Sequence, residues 1–124
     1  MERDLYVLMA ELATSPANRS KLRAGSTLVT PGMVEALGRR TDELTSRFEM
    51  PREFVLPGAN RCSAALELAR TVVRRAERDA LAVAAEGSHV LAYLNRLSSL
   101  VWALARWQEA DHLLAKDQRG LAEG

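Results

Sequence analysis

Residues 60–87 read NRCSAALELARTVVRRAERDALAVAAEG, and residues 88–113 read SHVLAYLNRLSSLVWALARWQEADHL. No proline interrupts either stretch, and the abundant alanine, leucine, arginine and glutamate favour helix. In the first, Leu66, Ala69, Val72, Val73, Ala76 and Ala80 recur at the spacing of one helical face. Asn60 stands where an N-cap belongs, and Gly87 where the helix should end. In the second, Ser88 precedes Leu91, Leu94, Leu97, Val101, Leu104 and Ala105 in the same way. The pattern predicts two helices of about 25 residues, roughly 38 Å each at 1.5 Å per residue. A connection of about two residues would make them antiparallel neighbours.

The rest of the chain is punctuated by proline, at positions 16, 31, 51 and 57. Leu5, Leu8 and Leu12 predict a first helix over residues 2–14, stopped by Ser15-Pro16. Polar residues 17–29 read as a loop. Thr30-Pro31 then has the form of an N-cap followed by proline at the first helical position. The second helix presents Met33, Val34, Leu37 and Leu44 before Pro51 ends it, and the apolar connector 49–60 carries Phe54, Val55 and Leu56. Sustained period-2 alternation and hairpin dipeptides are absent, as are internal repeats. The expectation is an all-α fold: one antiparallel bundle of about four helices over residues 1–124.

Of the 124 residues, 48 % are apolar and 27 % charged, which fits an ordered globular domain rather than a disordered or membrane-spanning chain. Met1 is followed by Glu2, Arg3 and Asp4 rather than a basic and then apolar leader, so a cytoplasmic protein is expected. The single cysteine, Cys62, excludes an internal disulfide and a cysteine-based zinc cage, and is expected to be a small buried side chain. His89 and His112 have no partner at metal-ligand spacing, so no metal site is expected. A net charge of +1 argues against a polycation that binds nucleic acid through its overall field.

Charge is nevertheless concentrated. Arg70, Arg74, Arg75 and Arg78 fall within nine residues and are opposed there only by Glu77. Arg70, Arg74 and Arg78 are four apart, so they share a stripe of the third helix, with Glu67 and Glu77 beside it. Guanidinium forks bind phosphate oxygens bidentately and keep their charge at neutral pH, so the stripe suits a polyphosphate. A solvated face of Glu–Arg pairs accounts for the same spacing. On the fourth helix, Asn95, Ser99 and Trp102 share a face, and Asn95 could read a base or ribose or simply tie two helices together. Glycine-rich phosphate loops are lacking, as are aromatic residues interleaved with the arginines for stacking nucleic-acid bases.

Three runs carry a further resemblance: Phe54-Val55-Leu56-Pro57-Gly58, the segment from Ala69 to Arg78, and Tyr93-Leu94-Asn95-Arg96-Leu97-Ser98. In order and spacing they resemble the PduO-type ATP:cob(I)alamin adenosyltransferases, over Met1 to about Arg106, with Arg3-Asp4-Leu5-Tyr6 similar in character to that family's second helix. The resemblance implies a trimeric helical bundle whose substrates are cobalamin and ATP with Mg2+. It implies that Arg74, Arg75, Glu77, Arg78 and Asn95 bind the nucleotide, and that Arg70 belongs to the same site while pairing with an acidic residue across the trimer interface. Phe54 matches the aromatic residue that presses on the lower face of the corrin. Phe54 and Arg74 are the residues implied in catalysis. The implied reaction is attack of the cob(I)alamin cobalt on C5′ of ATP with release of triphosphate.

The departures are specific as well. The family's amino-terminal Thr-Arg-x-Gly-Asp-x-Gly phosphate loop has no counterpart, so a shortened member beginning at the second helix is expected. Ala59, Glu67 and Ser99 stand where the family carries glycine, histidine and aspartate, and Glu67 could compensate from one turn before Arg70. Two alternatives therefore stand beside an active transferase. One is a non-catalytic relative that binds a corrinoid, a nucleotide or a protein; the other is a bundle recruited to different small-ligand chemistry.

Overall fold

A computed structural model describes residues 1–47 and 60–109, and beyond them only the helical backbone through Glu123. Four α-helices follow in order: α1 (Glu2–Ala13), α2 (Pro31–Thr45), α3 (Arg61–Ala80) and α4 (Val90–Glu123), with a 3₁₀ turn at Pro16–Lys21 between the first two. Among the described residues there is no strand, only an isolated bridge between Ala24 and Leu28. The all-α bundle read from the sequence is the fold.

Local chemistry starts the helices. Thr30 Oγ1 accepts from the Met33 amide at 3.3 Å, and Pro31 occupies the first turn, where its missing N–H costs nothing. Asn60 Oδ1 accepts from the Ser63 amide at 2.8 Å, while Ser63 Oγ accepts in return from the Asn60 amide at 3.1 Å. Asn60 also donates through Nδ2 to the Gln108 carbonyl at 3.3 Å, so the start of α3 meets a late turn of α4. Glu77, near the end of α3, meets Asn95 near the start of α4, and the two helices are therefore antiparallel.

The fourth helix is the spine. Both α2 and α3 pack along it, and it supplies Val90, Tyr93, Leu94, Leu97, Leu100 and Val101 to the core. Val7 and Leu8 of α1, Val29 of the loop, Leu37 of α2 and Ala80 of α3 close over them. Tyr93 is fully buried, with its hydroxyl donating to Asp4 Oδ2 at 2.9 Å. Burial raises its phenol far above the ordinary tyrosine value; the hydrogen bond and the negative charge of Asp4 add to this, and Arg40 opposes it.

Several expectations change. The third helix stops at Ala80 rather than Gly87, and residues 81–89 form the connection. Ala80 is the last buried residue of α3, and Leu81 and Val83 are each 65 % exposed, so further turns would find nothing to pack against. Ser88 keeps its expected place at the start of α4, where its Oγ accepts from the Val90 amide at 3.2 Å, and it also donates to Glu11 of α1. Gly87 still adopts the left-handed conformation, with φ of 78°, within that connection. Along α1, Val7, Leu8 and Glu11 face inward and Leu5 is exposed. The loop after α1 contains the 3₁₀ turn, and Cys62 is exposed rather than buried. Pro51, Phe54, Pro57 and Ala59 lie outside the described residues.

Candidate functional site

Arg70 and Arg74 are one turn apart on α3, and Asn95, Ser99 and Trp102 follow the i, i+4, i+7 line on α4. Antiparallel packing brings these lines to one cleft of about 410 Å³, which Thr41 and Thr45 of α2 also line. Thr41 Oγ1 donates to the Leu37 carbonyl, Thr45 Oγ1 to that of Asp42, and both Ser98 and Ser99 to that of Asn95. Each of these hydroxyls uses its proton on its own helix. Among the described residues, the charged donors that line the cleft are thus the two guanidinium groups.

Both guanidiniums are backed by carboxylates of the same helix. Arg74 Nη1 lies 3.3 Å from Glu77 Oε2, and Glu77 Oε1 accepts from Asn95 Nδ2 at 3.3 Å. Among the described residues no donor is bonded to the Asn95 side-chain oxygen, an acceptor on the α4 side. Arg70 Nη1 lies 3.9 Å from Glu67 Oε2, while Glu67 Oε1 accepts from Arg106 Nη2. Arg106 in turn pairs with Glu109, Nε to Oε2 at 3.0 Å and Nη2 to Oε1 at 3.2 Å, and its guanidinium sits 5.5 Å from the centre of the Trp102 ring.

The cleft therefore gathers Arg70, Arg74 and Asn95, with Glu77 immediately behind. Arg75 and Arg78 are exposed on α3 and do not line it. Phe54 is among the residues not described. The Arg106–Glu109 pair is absent from the sequence reading, although an arginine and a glutamate three apart, with the arginine one turn after Trp102, is a legible signal for it. Among the described residues, no group of three or more His, Cys, Asp or Glu side chains is gathered to hold a metal ion. No described helix is long and apolar enough to cross a membrane.

Two guanidinium groups, an amide, hydroxyls and an indole ring thus line one cleft. A corrinoid adenosyltransferase of Bacillus subtilis is 42 % identical over 81 residues, covering 63 % of this chain and 42 % of that protein. The corrinoid adenosyltransferase PduO of Salmonella typhimurium is 32 % identical over 114 residues, covering 90 % of this chain and 33 % of its own length. A corrinoid adenosyltransferase of Citrobacter freundii is 33 % identical over 112 residues, 88 % of this chain and 62 % of that protein. The chain thus spans between 33 % and 62 % of the length of these relatives. Residues 1–108, which include every described side chain of the cleft, match the family description of cobalamin adenosyltransferases, and the chain belongs to that family.

Proposed function

We propose that the protein is a corrinoid adenosyltransferase that moves the 5′-deoxyadenosyl group of ATP to cob(I)alamin and releases triphosphate. The observation that carries this reading is the pair Arg70 and Arg74 facing Asn95 across the α3–α4 seam, within the region that matches the family. Bound cob(I)alamin supplies the cobalt electron pair that forms the Co–C5′ bond, and the C5′–O bond breaks with its electrons leaving on triphosphate. Arg74 and Arg70 hold that triphosphate, which arrives with Mg2+. Negative charge accumulates on the leaving group during the step, so guanidiniums already fixed in place stabilise the transition state more than the bound substrate. Asn95 offers its side-chain oxygen to the nucleoside, and Glu77 holds Asn95 and Arg74 in register. Arg75 and Arg78, on the exposed side of α3, complete the nucleotide site in the assembly. Phe54 has the corrin-facing role that the resemblance implies.

The working form in this proposal is a cytoplasmic homotrimer. The exposure of Met1, Leu5, Tyr6 and Met9 along α1 supports association, since such apolar faces bind partners. Calorimetric titration with Mg·ATP and an adenosylation assay following the cobalamin spectrum test the function, with sedimentation reporting the assembly. The expected result is saturable ATP binding, formation of adenosylcobalamin, and a loss of about 10²-fold in kcat for Arg74→Ala. Nucleotide binding without turnover would make the protein a non-catalytic member of its family. The absence of both binding and turnover would overturn the proposal.

A further inference from the structure

Each arginine of the cleft is tied to α4 through a carboxylate, but the two ties differ in kind. Glu77 ends on Asn95, an exposed side chain. Glu67 ends on Arg106, which is 6 % exposed and clamped by Glu109 at 2 % exposure. The charges alternate along Arg70, Glu67, Arg106 and Glu109, so the row is neutral and Arg106 keeps a counter-ion whether or not Glu67 is charged.

We propose that Glu67 is a positioning residue for the cleft: pinned by the buried Arg106–Glu109 pair, it holds the Arg70 guanidinium where a phosphate-type anion can take it. The inference rests on the polyphosphate reading of the site. A long arginine side chain left free must be ordered by the ligand, which weakens binding; one already paired with a carboxylate avoids part of that loss. The separation of 3.9 Å is a loose ion pair rather than a closed bidentate fork, and a guanidinium has five N–H donors, so Arg70 keeps donors for a second anion. Glu67 touches no ligand in this arrangement. It acts through Arg70.

Glu67→Gln tests this, because it keeps the shape and an oxygen acceptor for Arg106 while removing the charge that holds Arg70. Glu67→Asp keeps the charge on an arm one methylene shorter that cannot span both arginines. The probe is inorganic tripolyphosphate, titrated calorimetrically into the full chain at about 0.5 M salt, where the long-range attraction gained by removing a negative charge is screened. Each variant should weaken binding about threefold, and that loss should vanish in an Arg70→Ala background. Binding as tight as the unmodified chain's, or the same loss without Arg70, overturns the inference. No tripolyphosphate binding by the unmodified chain overturns it together with the polyphosphate reading. The expected cycle in a protein that fails to adenosylate cobalamin refutes the proposed activity and leaves the role of Glu67 standing.

Discussion

Tyr93 shows how one buried hydroxyl sets a response to pH. Its phenol is enclosed by the core and donates to Asp4, both of which favour the neutral form. A group whose pKa is raised by folding stabilises the fold fully below its unfolded pKa, about 10 for tyrosine, and loses that contribution as pH rises towards the folded value. Unfolding free energy should therefore fall as pH rises above about 10, since the unfolded chain gives up this proton first. Tyr93→Phe should flatten that alkaline slope and cost about 1 kcal/mol at neutral pH from the lost hydrogen bond. Denaturant titrations at neutral and strongly alkaline pH check both. A slope unchanged in Tyr93→Phe would assign the alkaline response to other groups.

Among the elements, α3 carries the sharpest contrast between its two ends. Its start is written in neighbouring residues, because Asn60 and Ser63 satisfy each other across three positions. Asn60→Ala should cost about 1–2 kcal/mol, measurable as a lowered denaturation midpoint with unchanged slope, since it removes the cap and the link to the Gln108 carbonyl together. Its end is not written locally. Residues 81–86 favour helix, yet Ser88 is fastened to Glu11, 77 positions earlier, and no local rule anticipates that pairing. The site divides in the same way. The lines Arg70–Arg74 and Asn95–Ser99–Trp102 were legible because each is a helical repeat, and antiparallel packing set them face to face. Which arginines enter the cleft was not legible, because that depends on how α2 packs beside α4, and Arg78 does not line it. The tie from Glu67 to Arg106 was equally hidden, as the two are 39 positions apart.

At the scale of the whole molecule, Glu11 holds three otherwise separate segments together. It accepts from the Val29 amide at 2.8 Å, from Arg19 at 3.4 Å and from Ser88, joining the 3₁₀ turn, the approach to α2 and the α3–α4 connection onto α1. Glu11→Ala leaves a buried amide without its acceptor and opens all three junctions, at a cost of about 2–3 kcal/mol. Hydrogen exchange should then quicken at Val29 and through 81–89 before it quickens in the middle of α4. An exchange pattern that changes uniformly would show that Glu11 stabilises the molecule without joining its parts. The dependence of α2 and α3 on a common spine has a mechanical consequence for the cleft between them. Thr41 and Arg74 line it from two helices carried on a third, so a ligand touching both would bridge α2 and α3, and hydrogen exchange in those two helices should slow together when the cleft is occupied.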